Sequence, residues 1–256
     1  MINKRITTET LTTIKSFVTD DGIIVAAITT DQMREVDRIA IEETGPNLFQ
    51  MMENAGRSLA LCAIEMLGQQ WRTSKIVVLA GTGGNGGGGI CAARHLANHG
   101  ANVRLCIANP DRLGEVPSFQ RKIFRSTSGK EVVLADLDNE HTDLILDAII
   151  GYSLQSTPHG AASEFIQWAN QSNVPVLALD VPSGIDATSG RDYGSYVHPT
   201  RTMTLALPKT GLRSDKTGKL FLADIGIPQE AYERIGLKFS SPFDERYVVP
   251  IRPAEA

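Results

Sequence analysis

The sequence contains little cysteine, and its three cysteines are not arranged in pairs. Cys62, Cys91 and Cys106 are an odd set without C-x-x-C spacing, which argues against a disulfide framework and against a zinc site. Cys62 and Cys91 fall in helical patterns and Cys106 falls in a strand pattern. We therefore expect three buried thiols in a reducing compartment, and a cytoplasmic location.

Long apolar runs and an excess of positive charge are also missing. No run approaches the roughly 20 apolar residues that a membrane-spanning helix needs, so we expect no membrane partner. The formal net charge of −4 gives no electrostatic reason to bind nucleic acid. With 42% hydrophobic and 21% charged residues, the composition is typical of a globular protein with a sizeable core.

Glycine, by contrast, is concentrated in one place. Residues 81–89 read GTGGNGGGG and directly follow the apolar run KIVVLA. Glycine is costly to order, so this stretch predicts a backbone that something approaches closely. A glycine-rich turn before a helix can present N–H groups to a phosphate. The alternative is a tight turn without a ligand.

A redox dinucleotide site is not favoured by this stretch. The pattern G-x-G-x-x-G matches at Gly81, but such a match is nearly guaranteed in so dense a glycine run. A plain dinucleotide site would also place an acid about 20 residues further on, at the end of the next strand. Asp111 fits that position poorly, so a hydride-transferring enzyme remains possible but is not preferred.

Short apolar runs alternate with helical patterns along most of the chain. Runs rich in Val, Ile and Leu are typical of strands buried on both faces of a parallel sheet. They lie at 75–80, 103–108, 132–136, 144–150, 174–180, 202–207 and 219–225. Helical spacing is found at 30–45, 48–67, 90–100 and 160–172. This alternation predicts an α/β fold, a three-layer α/β/α sandwich that is Rossmann-like, with a mostly parallel, doubly wound sheet.

We divide the chain into three parts on this basis. Residues 1–24 lack the apolar core of a secretory signal and predict a polar, weakly helical extension. Residues 25–242 form a single domain, and 243–256 form an irregular tail on the surface. The strands after residue 200 lie close together in the sequence, which predicts antiparallel pairing at one edge of the sheet.

Polar residues follow several strands, where a doubly wound sheet binds its ligands. Asp147 lies inside an apolar run and needs a cation or hydrogen-bond partner, unless it caps the following loop. Asp180 ends the next strand and raises the same two possibilities. Lys209 follows a further strand, where it either balances an acid or a phosphate or is solvated.

Taken together and in order, these stretches resemble the NAD(P)H-hydrate epimerase family, whose fold is the YjeF N-terminal domain, also called apolipoprotein A-I-binding protein. The segments that carry the resemblance span about residues 25–230. They read MREVDRIAIEETG, QMMENAGRSLA, GTGGNGGGGICAARHL, LDAIIGYSL, DVPSGIDATSG and LPKTGL.

The resemblance implies an activity in cofactor repair. Members of the family interconvert the R and S forms of NADHX and NADPHX, in which water has added at C6 of the nicotinamide ring. A separate dehydratase, specific for the S form, then restores the cofactor. The family uses a potassium ion and forms homodimers. We expect this chain to hold the epimerase part alone, and helix 48–67, with Met51, Met52, Leu59 and Leu61, offers a possible dimer face.

The resemblance also implies roles for individual residues. The potassium ligands fall on Asn85, Asp147 and Ser183, and Asp180 is the residue expected to perform acid–base catalysis. The substrate contacts fall on Gly84, Asn85, Gly86, Gly87, Gly88, Gly151, Tyr152, Ser153, Leu154, Gln155, Ser156, Thr157 and Asp180.

Four positions depart from the family pattern. Gly84 and Gly88 replace an Asn and an Asp, Ser153 replaces a frequent glycine, and Ser156 replaces a frequent basic residue. Two interpretations follow. The chain is either a working epimerase with altered substrate contacts, or a non-catalytic domain that binds a nucleotide-like ligand or a protein partner, as in scaffold proteins of mRNA decapping.

Overall fold

A computed structural model describes residues 13–137 and 141–254. The strands run through one ten-stranded sheet. They are β1 Ser16–Thr19, β2 Ile24–Ala26, β3 Lys75–Ala80, β4 Asn102–Ile107, β5 Lys130–Val132, β6 Leu144–Ala148, β7 Val176–Leu179, β8 Arg201–Leu205, β9 Lys219–Ala223 and β10 Val248–Pro253. The helices are α1 Thr30–Ile39, α2 Leu48–Leu67, α3 Gly84–Asn98, α4 Glu115–Phe124, α5 Ala161–Gln171, α6 Ser214–Thr217 and α7 Gln229–Arg234.

The sheet is parallel over most of its width. Its strand order is β2-β1-β10-β9-β8-β7-β6-β3-β4-β5, and every pair from β9 to β5 is parallel. The chain leaves β3 towards β4 on one side and returns to β6 on the other. This reversal of strand order puts the ligand crevice of a doubly wound sheet beside the carboxyl ends of β3 and β6. The predicted α/β/α fold class is confirmed.

The prediction of which strands form the antiparallel edge of the sheet is wrong. β8 and β9 were expected to pair antiparallel, but they pair in parallel, with Arg201 opposite Lys219. The connection at 206–218 contains α6 and is long enough for a crossover, which a parallel pair requires. The antiparallel part consists of β10, β1 and β2.

Both terminal segments contribute strands to this edge. The expectation of weakly helical structure is wrong for residues 16–24, since β1 pairs with β2 and β10; residues 1–12 lie outside the described part. The expectation of an irregular tail after residue 242 is also wrong, because β10 pairs with β9. Phe17 and Val249 are fully buried, so the apolar residues of these short strands complete the core.

Several element boundaries also differ from the predicted ones. Helix 48–67 is confirmed as α2, with Asn47 as its N-cap. The run at 132–136 is a strand only at its first residue, because β5 ends at Val132 and a 3₁₀ turn covers Leu134–Leu137. The helix α4 was missed. All three cysteines are buried and unpaired, as expected. Across the described ranges, the helices are too short or too polar to cross a bilayer.

Candidate active site

A cavity of about 350 Å³ opens at the carboxyl ends of the central strands. Its polar groups come from α1, the start of α3 and the segments after β6, β7 and β8. Helices α1 and α2 supply most of its apolar wall. The lining residues are Met33, Asp37, Leu48, Met51, Met52, Ala55, Gly84, Asn85, Gly88, Gly151, Tyr152, Ser153, Leu179, Asp180, Leu205, Lys209 and Ile225.

Most of the glycine run belongs to a helix. The sequence suggested a loop up to about Ile90, but α3 begins at Gly84. A Cβ on Gly86 would lie 1.9 Å from the carbonyl oxygen of Gly81, and one on Gly89 would lie 2.3 Å from the Cβ of Ala148. These two glycines therefore let α3 pack directly on the sheet and on the turn before it.

The glycines predicted as substrate contacts divide into two groups. Gly84 and Gly88 line the cavity, whereas Gly86 and Gly87 do not. A Cβ on Gly87 would lie 2.3 Å from Sδ of Met52, so this position packs α3 against α2. Protein atoms thus leave no room for a side chain at positions 86 and 87, and only the backbone there could contact a ligand.

The start of α3 nevertheless offers backbone donors. Its N-cap, Gly83, has no side chain to cap the helix, and the N–H of Gly87 bonds to the carbonyl of Gly83 at 3.0 Å. The N–H groups of the first three helical residues have no partner inside the helix by its geometry. Together with the helix dipole, they form an environment that favours an anion such as a phosphate.

A matched pair of substitutions tests the packing role of the glycines. Gly86→Ala should lower the free energy of unfolding by about 3 kcal/mol or more, because its Cβ meets backbone that cannot rotate away. Gly84→Ala should be neutral or stabilise by up to about 1 kcal/mol, since alanine favours helix and its Cβ would lie 3.7 Å from Cε of Met52. Urea unfolding of both variants measures the difference; equal stabilities would contradict the packing role.

Asp147 lies in the middle of the sheet and is bonded by Ser183. The Ser183 hydroxyl donates to Oδ1 at 2.5 Å, the Ser183 N–H donates to Oδ2 at 2.9 Å, and the Ile149 N–H donates to Oδ1 at 3.2 Å. Asp147 is fully buried, and burial raises its pKa to about 6 even though these hydrogen bonds oppose the shift. A cation beside this carboxylate would relieve that cost.

Asn85 has an amide group without a protein partner. Its Nδ2 atom is buried and makes no hydrogen bond within the described residues. The backbone of Gly151 passes between Asn85 and Asp180, so that a Cβ there would lie 3.0 Å from Oδ1 of Asn85 and 2.9 Å from Oδ2 of Asp180. Gly151 in turn follows Ile150, whose N–H donates to the Ser183 hydroxyl at 2.8 Å. The three predicted potassium ligands thus border one short segment, 149–151.

Asp180 is held from several sides in an unusual conformation. Its φ of 68° lies in the left-handed region, which is uncommon for an aspartate and often marks a functional position. Oδ2 accepts the backbone N–H of Tyr152 at 2.9 Å. Oδ1 forms an ion pair with Nζ of Lys209. The carboxylate is therefore fixed in place at the wall of the cavity.

Lys209 is the counter-ion of Asp180. The sequence left open whether it is solvated or balances an acid, and the structure shows that its side chain is only 1% exposed. Nζ also donates to the carbonyl oxygen of Leu205 at 2.9 Å. A buried ammonium needs such partners, and the pair places one positive and one negative charge together in the cavity wall.

Asp37 is a site residue that the sequence reasoning missed. Its Oδ2 accepts a hydrogen bond from the Tyr152 hydroxyl at 2.5 Å, and burial raises the pKa of both groups. Asp37 belongs to the stretch MREVDR, where its position four residues after Met33 places both side chains on one face of α1. That face lines the cavity. The helical spacing of Met33 and Asp37 could therefore have indicated that both residues belong to the site.

The remaining predicted site residues are divided in the same way. Gly151, Tyr152 and Ser153 line the cavity, whereas the following residues do not. Gln155, Ser156 and Thr157 are exposed, and Leu154 is half-buried. Met51 and Met52 line the cavity and Leu59 lies in the core, so of the proposed dimer face on α2 only Leu61 is exposed.

A second cluster of residues that could bind a metal already contains an arginine as its counter-ion. Ligand atoms of Glu53, Cys91 and His95 lie within 4.8 Å of one another. However, Nη2 of Arg94 lies 2.6 Å from Oε2 of Glu53; despite the burial that opposes it, this arginine and His95 lower the carboxyl pKa to about 2. Burial raises the pKa of the Cys91 thiol to about 12. This cluster therefore ties α2 to α3, and its charges are already paired.

Comparison with known proteins gives consistent results. Residues 48–211 match the family described as YjeF-related protein N-terminus. A protein of Dehalogenimonas lykanthroporepellens named NAD(P)H-hydrate epimerase is 50% identical over 93% of this chain and 98% of its own length. The crystal structure of yeast ynu0 superposes with a TM-score of 0.77 at 22% identity, over 88% of this chain and all of that one; at this identity it supports the fold alone.

Other relatives are longer proteins. The bifunctional NAD(P)H-hydrate repair enzyme Nnr of Moorella thermoacetica is 33% identical over 79% of this chain, which spans 41% of that enzyme. The human enhancer of mRNA-decapping protein 3 is 30% identical over 94% of this chain, which spans 47% of that protein. The family model, the full-length relative and the fold agree, and the chain belongs to the YjeF-related protein N-terminus family.

Proposed function

We propose that this protein is an NAD(P)H-hydrate epimerase, an isomerase that interconverts the R and S forms of NADHX and NADPHX. The observation that carries the proposal is the cavity wall in which Asp180, paired with Lys209, lies beside Tyr152 and the start of α3. A fixed carboxylate can stabilise a cationic ring by its charge, and the backbone N–H groups at the start of a helix can bind a phosphate. The Dehalogenimonas lykanthroporepellens protein named NAD(P)H-hydrate epimerase is 50% identical over 93% of this chain.

The chemistry asks for a carboxylate beside C6 of the nicotinamide ring. Loss of the C6 hydroxyl as water leaves a flat, iminium-like ring, and water that returns from the other face gives the opposite epimer. Asp180 stabilises this cation by its charge and accepts or donates the proton that moves with the water. Its hydrogen bond from the Tyr152 N–H and its ion pair with Lys209 hold the carboxylate in position.

The residues Asn85, Asp147 and Ser183 would hold the potassium ion. A hard monovalent cation prefers carboxylate, amide and hydroxyl oxygens, and these three residues supply one of each. Burial raises the pKa of Asp147 to about 6, and a cation bound there would offset that cost. Nδ2 of Asn85 is a donor and cannot bind a cation, so Oδ1 would be the ligand atom of that residue. When bound, the ion would supply positive charge that attracts phosphate and polar groups of the substrate.

The proposal includes partners and location. The S form would pass to a separate NAD(P)H-hydrate dehydratase, and the fused repair enzyme of Moorella thermoacetica supports the pairing of two activities by its name. We expect a homodimer in the cytoplasm, where the three buried free thiols would stay reduced.

A non-catalytic binding domain is the second candidate. It is favoured by the likeness to the mRNA-decapping protein and by Gly84 and Gly88, which leave the cavity floor without the polar side chains of the family. The paired Asp180 and Lys209 favour the enzyme, because a buried ion pair is not needed for a stable wall and is often less stabilising than apolar residues.

The decisive experiment measures turnover. Purified protein, potassium, the R form of NADHX or NADPHX and an excess of an S-specific dehydratase are mixed, and NAD(P)H recovery is followed at its absorbance. A rate well above that of a protein-free control supports the epimerase. A rate equal to the control for both substrates rejects it in favour of the binding domain.

Potassium binding has a readout that is independent of activity. At ten times its dissociation constant, the ion should stabilise the fold by about 1.4 kcal/mol, which raises the melting temperature by roughly 3–5 °C. The effect should fade as the pH falls below about 6, because Asp147 then gains a proton that competes with the ion. Melting curves in potassium and choline chloride measure it.

The sign of the pH effect follows from the raised pKa. Without the ion, folded Asp147 binds its proton more tightly than the unfolded chain does. Its carboxyl therefore lowers stability as the pH rises from the unfolded pKa of 3.8 towards the folded value of about 6. Potassium offsets this loss only above that range. Asp147→Asn should show no response to the ion, and an equal response in that variant would contradict the assignment.

A further inference from the structure

The cavity contains a second carboxylate besides Asp180. Asp37 of α1 lines the same space, is half-buried and accepts the Tyr152 hydroxyl through Oδ2 at 2.5 Å. Over residues 13–137 and 141–254, the structure contains no hydrogen-bond donor to the other oxygen, Oδ1. A half-buried carboxyl with one fixed oxygen and one open oxygen can exchange a proton with a ligand in the cavity.

Tyr152 connects the two carboxylates. Its backbone N–H donates to Oδ2 of Asp180 at 2.9 Å, and its hydroxyl donates to Oδ2 of Asp37. The two acids therefore contact the two ends of one residue, Asp180 at the backbone and Asp37 at the hydroxyl. Nζ of Lys209 lies 5.8 Å from the centre of the ring between them. Asp180 has the ammonium of Lys209 as its direct partner, whereas Asp37 has a neutral hydroxyl.

The two carboxyl groups lie in different electrostatic environments. The Asp180 carboxylate forms an ion pair with the ammonium of Lys209. Within residues 13–137 and 141–254, Asp37 has no cation in direct contact, and burial raises its pKa. Paired carboxyl groups whose surroundings differ in this way commonly divide the acid and base roles of a reaction.

Epimerisation by loss and return of water needs proton transfer at both faces of the ring. One carboxylate on one side of the cavity can reach one face. Resting on the proposed function, we propose that Asp37, held by the Tyr152 hydroxyl, is a second acid–base residue that serves the ring face which Asp180 does not reach.

The protons and electron pairs balance in this scheme. On one face, the Asp37 carboxyl gives its proton to the C6 hydroxyl, the C6–O bond breaks and water leaves, while the N1 lone pair forms the N1=C6 bond. On the other face, a water oxygen bonds to C6, the π pair returns to N1 and the surplus proton passes to Asp180. That proton returns to Asp37 through solvent, so that one water leaves, one enters and nothing is consumed. The reverse reaction exchanges the two roles.

The groups around Asp37 set its response to pH. The Tyr152 hydroxyl and Lys209 lower its pKa, and burial and the charge of Asp180 raise it. The charge of Arg34 on the same helix opposes the rise in the pKa of Tyr152. Burial and the charge of Asp37 are among the causes that raise the pKa of Tyr232 on α7. Removal of the Tyr152 hydroxyl takes away a bond that favours the ionised form, so it should raise the pKa of Asp37.

Three variants and the wild type test this role. Asp37→Asn should lower kcat at least about 100-fold. Tyr152→Phe should move the limb of the pH–rate profile that Asp37 sets towards higher pH, which a merely structural role would not do. Asp31→Asn is the matched control, since Asp31 lies on the same helix, pairs with Arg34 and is 89% exposed; its rate should equal that of the wild type.

The outcomes separate this role from the proposed function. If the wild type is active and the rate of Asp37→Asn lies within about twofold of it, the role of Asp37 is overturned and the epimerase stands. The same holds if the wild type is active and Tyr152→Phe leaves the pH–rate profile unmoved. A wild-type rate equal to the spontaneous one overturns the epimerase and Asp37 with it. If Asp37→Asn fails to fold by circular dichroism, the profile of Tyr152→Phe decides.

Discussion

Asp180→Asn is expected to lower the epimerisation rate by about 10²- to 10⁴-fold, the range typical of a lost acid–base group. The amide keeps the shape of the side chain and can still accept the Tyr152 N–H, but it has no negative charge to stabilise the iminium-like ring. It also cannot take a proton from water. Coupled turnover with excess dehydratase measures the change.

The control for this experiment lies in the same loop. Asp186 accepts the N–H groups of Thr188 at 3.1 Å and Ser189 at 2.7 Å, so it shapes the turn after Asp180 without lining the cavity. Asp186→Asn should retain a rate close to that of the wild type, provided that circular dichroism shows a folded chain. Epimerisation at an unchanged rate in Asp180→Asn would remove this residue from the mechanism.

The central sheet was predictable because its strands are buried on both faces. β3, β6 and β7 read as continuous apolar runs, and a run of that kind fits few other structures. The acids that interrupt or end them, Asp147 and Asp180, stood out for the same reason, since a charge in such a run needs a partner. The sequence could not show these partners, because Ser183 and Lys209 each follow a different strand from the acid that they contact.

The edge of the sheet was misjudged because its strands are short. β1 and β2 have four and three residues, too few to display an alternating pattern above the polar background. Parallel or antiparallel pairing of β8 and β9 depends on the path of residues 206–218, which local pattern does not specify. Only the assembled sheet shows that β10 lies between β9 and β1.

The glycine run shows how one composition can serve two purposes. The sequence predicted that other atoms approach this backbone closely, and the structure shows close approach. At Gly86 and Gly89, however, the approaching atoms belong to the turn at Gly81 and to the strand β6. Sequence alone does not distinguish a ligand from another part of the chain. Asp37 was missed for a related reason, as its partner Tyr152 lies in a distant segment.

Lys209→Met is expected to destabilise the protein by about 3–5 kcal/mol, because it leaves the Asp180 carboxylate buried without its counter-ion. The side chains of Lys209 and Asp180 are 1% and 4% exposed, so water can replace the ammonium only in part. Lys216→Met is the matched control: its pair with Asp192 has exposed fractions of 16% and 36% and should contribute no more than about 1 kcal/mol. Urea unfolding of both variants gives the comparison.

The double variant Asp180→Asn with Lys209→Met separates the cost of an unpaired charge from the loss of packing. With both charges of this pair removed, neither position carries an unpaired buried charge, so the double variant should be more stable than Lys209→Met by about 1–3 kcal/mol. Its epimerase activity should stay as low as that of Asp180→Asn. A Lys209→Met protein within about 1 kcal/mol of the wild type would mean that the carboxylate finds solvent or another cation, and the rigid placement of Asp180 in the cavity wall would then have to be abandoned.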